Sequence, residues 1–490
     1  MSYRALADFL EELEAAGELA RVGVEVDPEL EIAEITSRVA ESGGPAILFQ
    51  NVKGVRAAVV TNLLGTERRI CRALRIQSLA EMTERVRENL GGDSAGRWLD
   101  RLTLGRDPGN DRWQPRPVKT GATQQVVRLA SDVDLAALPA LRNWSGEPAR
   151  LFHAALLFSI DPNDGERIVD RCDLEVLDRN RLAVLLAPRQ PVARLSVKYR
   201  DRNRVEPLPL AVVLGGDPAY RLMAGSSLAT ALSPFVFGGL LRGQPIELVK
   251  CRTMEFGVPA DADLVLEGTI DPSADCFRAG PVGAASGFYR VPQPAPVMHV
   301  AAITERTSPI CPATIPSQST GESAALAHAA ERIFLPLVQA VVPELVDYAL
   351  PGWGGPERFA MLAIRKTYPQ QARRVAAAIW GWEPLMTAKV IVIVDGDVDV
   401  HDPRQVWSRV GAHADPRRDV FFHSGPGDAF DHSAPIAGAG HTMTIDATGK
   451  LPDEHPRPWP AATEMPDAVG DLVRTRWRQY GLPPLPPGRL

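Results

Sequence analysis

Short β-like runs dominate the middle of this 490-residue chain, and they constrain its fold more than any other feature. Between residues 125 and 306, apolar runs of five to seven residues alternate with Gly- and Pro-containing breaks. One helical pattern, near Leu228–Leu241, interrupts them. Several short strands with frequent turns predict a barrel or a sandwich. The predicted strands are Ala154–Ile160, Leu182–Ala187, Leu208–Leu214, Ile246–Lys250, Leu264–Ile270 and Val297–Ile303.

The patterns on either side of this region predict mixed α/β structure. At the start, two amphipathic helical stripes come before two apolar runs, Ile47–Phe49 and Ala57–Val60. The stripes consist of Leu6, Phe9, Leu10 and Leu13, ending at Gly17, and of Ile32, Ile35 and Val39, which follow Asp27-Pro28.

The C-terminal third alternates helical and strand patterns, which predicts a second α/β unit. Its elements are a helix over Gly321–Val342, a strand over Phe359–Ile364, a helix over Gln370–Trp380 and a strand over Val390–Val394. The last of these is an apolar run typical of a buried parallel strand.

A chain of this length predicts two or three domains. The polar, Pro- and Gly-rich segment Asp107–Arg116 is interpreted as a linker. We therefore predict an N-terminal segment over 1–120, a central domain over 121–318 and a C-terminal domain over 319–490. The Pro-rich tail Pro483–Leu490 is either an exposed end or an arm that reaches a neighbour.

Composition excludes several classes of partner. The net charge is −6 and no long basic run occurs, so nucleic acid and anionic membranes are not expected partners. No apolar signal segment opens the chain, and no window is expected to span a bilayer, which predicts a cytoplasmic protein. The five cysteines lie at least 25 residues apart, so neither a local zinc pattern nor a disulfide framework is expected.

Two further patterns point to structure more than to chemistry. The acidic run Asp395–Asp399 resembles a calcium loop, but its glycine is misplaced and Val406 stands where a bidentate glutamate is needed. The histidines are dispersed, and three of them occur in a glycine-rich C-terminal region, where they either border a cleft or lie on the surface. These three are His423, His432 and His441.

Several segments, in this order and spacing, resemble the UbiD family of prenylated-FMN-dependent decarboxylases over most of the chain. They are Val26-Asp27-Pro28-Glu29-Leu30, Leu214-Gly215-Gly216-Asp217-Pro218, Phe237-Gly238-Gly239-Leu240-Leu241, Gly280-Pro281-Val282-Gly283 and Ile445-Asp446-Ala447-Thr448-Gly449.

The resemblance implies an architecture and a chemistry. It implies a central split β-barrel, related to flavin reductases, that holds the cofactor. It also implies a C-terminal α/β domain used for oligomerisation, hence a homodimer or a higher homo-oligomer. The implied reaction is reversible decarboxylation of an unsaturated or aromatic acid on prenylated FMN. In that reaction Mn²⁺ and K⁺ hold the flavin phosphate, and an arginine flanked by two acidic residues carries out the proton transfer.

This chain departs from the family pattern at each of these polar positions. Asp173 stands at the arginine position, and Ala279 and Ala284 stand at the two acids. Alanine cannot transfer a proton, and aspartate reverses the charge that would bind a carboxylate. The metal-ligand positions fall on Ile168, Pro191 (or Arg189 if a gap is allowed) and Pro234. These residues predict no metal site and no prenylated FMN, and we expect no cofactor at all.

Some features of the family pocket remain. Ser226 and Ser227 match a turn at the flavin phosphate, Lys389 matches a lysine that reaches it, and Gln190 matches a polar neighbour of the cofactor. A hydroxyl-capped turn and a surface cation are the alternatives. Asp173 is a candidate acid or base whose pKa would be raised if apolar replacements exclude water; otherwise it is an exposed strand residue.

The sequence leaves three functions open, and a small molecule is the expected substrate. The preferred reading is a lyase or cyclase of specialised metabolism that reuses the cleft without prenylated FMN. The second is a non-catalytic subunit that partners an active homologue. The third is an ordinary prenylated-FMN decarboxylase of an unsaturated or aromatic acid.

Overall fold

A computed structural model describes residues 3–89, 112–161, 163, 165–201, 206–223, 233–316, 321–352, 358–382, 385–461, 463 and 465–483. The predicted linker over 107–116 lies partly outside these residues, as does the helical pattern that begins at Leu228. The Pro-rich tail lies almost wholly outside them. The helices are α1 Leu6–Ala15, α2 Glu31–Glu41, α3 Glu67–Leu74, α4 Leu79–Asn89, α5 Pro191–Asp201, α6 Tyr220–Met223, α7 Pro234–Arg242, α8 Gly321–Val341, α9 Gln371–Trp380, α10 Pro403–His413 and α11 Asp467–Arg476.

Most strands are short, as the spacing of turn residues predicts. They are β1 Leu19–Val22, β2 Ala46–Phe49, β3 Ala58–Thr61, β4 Arg116–Val118, β5 Val126–Leu129, β6 Leu151–Ile160, β7 Arg167–Val176, β8 Arg181–Leu185, β9 Leu208–Leu214, β10 Glu247–Lys250, β11 Gly257–Pro259, β12 Leu264–Ile270, β13 Phe277–Ala279, β14 Val282–Gly283, β15 Tyr289–Arg290, β16 Gln293–Ala295, β17 Val297–Glu305, β18 Ile310–Pro312, β19 Leu345–Ala349, β20 Phe359–Ile364, β21 Val390–Asp395, β22 Val420–Pro426 and β23 Ala439–Asp446.

A closed six-stranded barrel forms the centre of the molecule. Its strands pair in the order β12-β9-β6-β7-β8-β17, and antiparallel pairing of β17 with β12 closes the ring. Strand β5 adds to β17 outside the ring. Apolar side chains from the strands fill the interior, among them Leu157, Leu174 and Leu266. The predicted α/β class with a central barrel is confirmed.

Two details of the barrel differ from the prediction. The run Ile246–Lys250 does form a strand, β10, but it pairs with β4 and β11 in a separate three-stranded sheet. Strand β7 was not predicted, because Arg167, Asp170, Arg171, Asp173 and Glu175 interrupt its apolar pattern. Half-buried strands alternate apolar and polar residues, and here the barrel buries both kinds.

The N-terminal part packs as a small α/β layer. Its sheet has the order β1-β2-β3-β18, so a strand that follows the barrel in sequence completes it. Helix α1 buries Leu6, Phe9, Leu10 and Leu13, as their spacing predicts. Helix α2 begins at Glu31, later than Asp27-Pro28 suggests, because the preceding Leu30 has a positive φ (72°) that does not fit a right-handed helix.

The C-terminal part is a five-stranded sheet in the order β19-β20-β21-β23-β22. Strands β20, β21 and β23 are parallel, whereas β19 and β22 are antiparallel to their neighbours. Separate apolar clusters cover its two faces, one beneath α9 and the other beneath α10. The predicted elements of this third agree closely with the observed helices and strands.

Helix α8 joins these parts. Its residues Leu326, Ile333 and Phe334 pack with the N-terminal helices, and Val338 packs in the core of the C-terminal sheet. By length and composition alone this helix could cross a membrane, so the expectation that no segment is apolar enough is wrong for α8. Packing on two sides explains its apolar character, since a helix buried between layers is hydrophobic around most of its surface.

Asp263 lies beneath a tight turn that begins at the end of β9. Gly215 and Gly216 both have positive φ (76° and 85°), and a Cβ on Gly215 would lie 2.3 Å from an Asp263 carboxylate oxygen. Asp263 accepts hydrogen bonds from the amides of Gly216 (2.8 Å) and Ile310 (3.2 Å). Burial is the largest influence on this carboxyl and raises its pKa to about 6.

We expect Asp263→Asn to flatten the dependence of stability on pH. A raised carboxyl pKa means that the folded chain holds the proton more tightly than the unfolded chain does. This contribution is therefore present below about pH 4 and is lost as the pH rises through about 6, a change of at most about 3 kcal/mol. Urea denaturation from pH 4 to 7 measures it. The exposed Asp271→Asn is the control, and an unchanged pH dependence in Asp263→Asn would contradict the assignment.

Candidate functional site

The loop with the Gly-Pro-x-Gly motif is folded back on itself by two short strand pairs. Strand β13 pairs with β16, and β14 pairs with β15. In the second pair Val282 lies opposite Arg290, so the chain reversal brings an arginine to the side of the motif. Ala279 is fully buried at the end of β13, and Ala284 follows directly after β14.

A β-bulge in the barrel wall faces this loop. Phe152 pairs with Leu174 and Ala155 with Cys172, so that His153 and Ala154 together lie opposite Asp173. Ala154 has a positive φ of 51°, which is strained for a residue with a Cβ. Its amide donates to the Asp173 carboxylate at 2.8 Å. The bulge thus turns a polar group of the backbone and the His153 side chain towards Asp173.

Arg290 and Asp173 form an ion pair between the loop and the barrel wall. Only 15% of each side chain is exposed. The Arg290 guanidinium also stacks on the ring of Phe430, 4.6 Å from its centroid. Its buried Nε has no hydrogen-bond partner among the described residues, so the guanidinium still has a donor to offer.

Glu147 anchors the other end of the loop. Its side chain is buried and accepts from the amides of Asn143 (2.8 Å), Trp144 (3.0 Å) and Gly283 (3.0 Å). A His153 ring nitrogen lies 3.4 Å from Glu147, and the other lies 3.4 Å from Asp173. Burial tends to raise the pKa of Glu147, but the neighbouring imidazole and the amides outweigh it, so the net shift is downward.

Glu175 lies two residues beyond Asp173 on β7, on the same face of the strand. It is buried and accepts from the amide of Gly280 at 2.7 Å. Burial raises its pKa, and the negative charge of Glu147 adds to the effect. Two carboxylates therefore hold the same loop, one with a raised pKa and one with a lowered pKa.

These contacts overturn the expected surroundings of Asp173. We expected apolar replacements around it, but its neighbours are a guanidinium, an imidazole and a backbone amide. The reason lies in the tertiary structure. The bulge on β6 places His153 beside Asp173, and the chain reversal after the motif brings Arg290 there. Glu147 in turn contacts His153. Glu175 and Glu147 bind the loop beside Ala279 and Ala284.

The positions that match the family's metal ligands hold no metal donors in this fold. Ile168 packs its side chain against the barrel core. Pro191 and Pro234 are the first residues of α5 and α7, where proline is favoured because the first helical amide needs no partner. Arg189, the alternative position, donates to the carbonyl of Gly427 at 3.2 Å. None of these groups is a ligand for a hard divalent cation.

Gln190 is part of a network on the barrel wall. Its amide nitrogen donates to the Asp170 carboxylate (3.0 Å) and to the Arg171 carbonyl (2.7 Å). Asp170 is buried, which raises its pKa, and it also accepts from the amide of Val192 at the start of α5. Gln190 is thus held in place near the strand that carries Asp173. Its predicted contact with a ligand stays a prediction.

Lys389 directly precedes β21, the central strand of the C-terminal sheet. Its ammonium group lies 2.9 Å from Asp431 and also contacts Ser433. Arg358 pairs with Asp431 (3.3 Å) and with Asp428 (3.2 Å). Lys389 is therefore neither isolated nor a simple surface cation. The other predicted phosphate contacts, Ser226 and Ser227, lie outside the described residues.

The C-terminal loop over residues 427–433 covers the barrel site. Phe430 packs on Arg290, and the His432 ring lies 4.6 Å from the ring of Phe288. His432 thus borders the cleft, as one of the two interpretations held. His423 instead stacks on Trp380, and His441 contacts Ser424, both away from Arg290.

Sequence reasoning missed His153, Glu147, Glu175 and Arg290. One available signal was the alternation of Asp173 and Glu175 on one strand face, because paired acids on a buried strand are unusual. Arg290 lies seven residues after the Gly280-Pro281-Val282-Gly283 motif. His153 depends on the bulge, which no local pattern predicts. Cys172, one of the five cysteines, is buried on β7, and burial raises its pKa well above the ordinary value.

Comparison with family models identifies the class of the protein. Three models of 3-octaprenyl-4-hydroxybenzoate carboxy-lyase match: its N-terminal domain over residues 10–88, its Rift-related domain over 116–319 and its C-terminal domain over 324–447. The chain belongs to the UbiD family. An uncharacterised protein of Aquifex aeolicus (strain VF5) is 35% identical over 484 residues, covering 98% of this chain and 99% of that protein.

Two solved enzymes resemble this chain over nearly their whole length. The UbiD-class enzyme HmfF from Pelotomaculum thermopropionicum, in complex with FMN, is 28% identical, with a TM-score of 0.77 and coverage of 95% of this chain and 98% of that one. Vanillic acid decarboxylase from Sedimentibacter hydroxybenzoicus, in its closed form, is 25% identical, with a TM-score of 0.87 and coverage of 98% and 100%.

The expectation that no cofactor takes part is wrong. The similar structures include HmfF bound to FMN and an evolved dimeric form of it bound to prenylated FMN, and they point to a flavin. The expectation relied on the loss of the family's ionic residues at their usual positions. It did not take into account charged residues at other positions, and Glu147, Glu175 and Arg290 lie at the motif loop.

We expect Asp173→Ala to destabilise the protein by about 3 kcal/mol, because it leaves the largely buried Arg290 without its counter-ion. Urea denaturation measures the change. The double variant Asp173→Ala/Arg290→Ala should recover part of the loss, since it removes both charges. Glu34→Ala, which breaks an exposed helical ion pair, should cost well under about 1 kcal/mol. A double variant whose loss equals the sum of the single losses would contradict the pairing.

Proposed function

We propose that this protein is a flavin-dependent carboxy-lyase of the UbiD family that acts on a small carboxylic acid with a relocated set of ionic groups. One observation carries the proposal: Arg290 contacts Asp173 while Glu147 and Glu175 bind the amides of the motif loop. An arginine, two carboxylates and a histidine thus surround the loop that carries the family chemistry.

Arg290 is the proposed binding group for the substrate carboxylate. Its guanidinium is held by Asp173 on one side and by the Phe430 ring on another, and its buried Nε has no hydrogen-bond partner within the described part of the chain. A carboxylate that accepts from a fixed guanidinium forms a strong charge-assisted hydrogen bond. Asp173 then acts as a positioning residue for Arg290, and it replaces our earlier assignment of Asp173 as the acid or base.

Glu175 is the proposed general acid. A carboxyl whose pKa is raised keeps its proton nearer to neutral pH, and a pair of carboxyls with divergent pKa values typically divides acid and base roles. Glu175 would deliver the proton to the carbon that loses carbon dioxide. Glu147, with its lowered pKa, stays ionised and keeps His153 and the Gly283 amide in place.

The cofactor site is supported by the donors near the covering loop. Three cations, Arg189, Arg358 and Lys389, contact residues of the 427–433 segment, and cations of this kind bind phosphate. The positions matching the family's metal ligands do not fit a metal, so we route no step through one. A bound prenylated flavin would supply the electron sink for loss of carbon dioxide.

The domain arrangement supports a site closed against water. The closed form of the vanillic acid decarboxylase matches with a TM-score of 0.87, whereas its open form matches with 0.77. In this chain Phe288 and Phe430 meet the opposite domain across the cleft. Exclusion of water strengthens the contact between Arg290 and a substrate carboxylate and keeps bulk water from exchanging the proton of Glu175.

We also propose that the protein is a cytoplasmic homo-oligomer. Its chain would have three domains, with boundaries near residues 120 and 318.

We expect Glu175→Gln to abolish decarboxylation nearly completely, by about 100-fold or more, because the amide cannot donate the proton. The chain is co-expressed with a flavin prenyltransferase and assayed for carbon dioxide release from aromatic and unsaturated acids. Wild-type kcat should fall as the pH rises through the Glu175 pKa, and residual Glu175→Gln activity should lack this limb. The exposed Glu255→Gln is the matched control.

Arg290→Ala should raise KM by at least about tenfold, with the flavin spectrum retained, whereas the exposed Arg278→Ala on β13 should behave as wild type. A flavin-loaded wild-type protein with full activity in both Glu175→Gln and Arg290→Ala would overturn the assignments.

A second function is favoured by one observation. Both acid positions of the motif loop are alanine, which fits a non-catalytic subunit that supports an active homologue. A protein that loads flavin, turns over no acid in the panel and purifies only with a homologous chain would favour this alternative.

A further inference from the structure

A cluster of two histidines and a buried glutamate, none of which belongs to the motif-loop site, lies where α8 meets the C-terminal sheet. His328 and Glu331 are three residues apart on one face of α8, and His401 comes from the loop between β21 and α10. One ligand atom from each of the three residues lies within 4.8 Å of the other two. The two imidazole rings are 5.7 Å apart and nearly perpendicular.

Glu331 is positioned as a ligand. Its side chain is only 4% exposed, and one carboxylate oxygen accepts from the Leu350 amide at 2.9 Å. The other oxygen lies 3.5 Å from a His328 nitrogen. One oxygen is therefore anchored while the other is presented to the histidines.

His401 has the outer partner that metal-binding histidines usually have. One of its ring nitrogens lies 3.4 Å from Asp347, and Asp347 is itself held by Arg332 and by its neighbouring amide at Tyr348. A carboxylate on one nitrogen orients the ring and leaves the other nitrogen for a metal. His328 and His401 are partly exposed, so an ion can reach the cluster.

We propose that His328, Glu331 and His401 bind a zinc ion that clamps helix α8 to the C-terminal sheet. Two imidazoles and one carboxylate are borderline ligands that suit Zn²⁺, which prefers a tetrahedral site. Zinc bonds of about 2.0–2.1 Å set ligand atoms about 3.3 Å apart, so small side-chain rotations bring the three together. The fourth position falls to water, because Glu67 of α3 lies 3.7 Å from the opposite ring nitrogen of His328 and is its outer partner.

The position of the cluster gives the ion a structural role. Helix α8 packs on the N-terminal helices through one part of its length and on the C-terminal sheet through another. His328 and Glu331 come from α8, and His401 comes from a loop of the C-terminal sheet. A bound ion would therefore stiffen the connection around which the domains are arranged. This proposal does not depend on the proposed enzymatic function.

The test uses the tag-free full chain, stripped with EDTA and titrated with zinc sulfate by isothermal titration calorimetry. We expect one Zn²⁺ per chain, and at least about tenfold weaker binding for His328→Ala and for His401→Ala. Asp347→Asn should weaken binding less. His455→Ala, a histidine far from the cluster in the C-terminal region, should bind as wild type, and circular dichroism verifies that each variant is folded.

Two further readouts distinguish a metal site from an ion-pair network. Zinc should raise the melting temperature of the wild type by a few degrees and leave that of His328→Ala/His401→Ala unchanged. Co²⁺ should give the strong visible absorption of a four-coordinate site in the wild type only. Absence of saturable zinc binding, or equal binding by wild type and double variant, would overturn the proposal.

Discussion

The ion pair between Asp173 and Arg290 organises the site on which the rest of this account depends. It joins the barrel wall to the hairpin that follows the Gly-Pro-x-Gly motif, and it is mostly buried. An unpaired charge at that depth would be costly, so each partner fixes the position of the other. The bulge at His153 and Ala154 then aims a backbone amide at the same carboxylate. Charge pairing thus acts at this end of the barrel together with an apolar cluster in which Ala279 and Val282 of the loop pack on Leu151 and Leu185 of the wall.

The two glutamates explain how the motif loop keeps its place without its own carboxylates. Glu175 accepts from the amide beside Ala279, and Glu147 accepts from the amide beside Ala284. Their different surroundings separate their pKa values: Glu175 has little compensation for its burial, whereas Glu147 receives three amides and faces an imidazole. The same pair of acids therefore holds the loop, and the difference in their pKa values is the basis for the proposed role of Glu175 as the general acid.

Much of the fold was predictable from sequence because it follows apolar periodicity. Strands β9, β12 and β20 were predicted to the residue, and α8 and α9 to within one residue. The site was not predictable in the same way. Strand β7 carries Asp173 and Glu175. Its charged residues interrupt the apolar alternation by which strands are predicted, so β7 was not predicted. Arg290 and His153 reach Asp173 through a chain reversal and a bulge, which are products of tertiary pairing. The family resemblance pointed to the motif loop, but it predicted that the ionic groups there were lost, because it could consider only the family's usual positions.

The central claim is that an arginine from the hairpin has taken over the carboxylate-binding role. The most direct measurement is a crystal structure of the flavin-loaded protein with a bound aromatic or unsaturated acid. We predict that the carboxylate accepts a hydrogen bond from the Arg290 guanidinium and lies on the same side of the cleft as Glu175. A carboxylate bound elsewhere, with Arg290 still paired only to Asp173, would contradict the account.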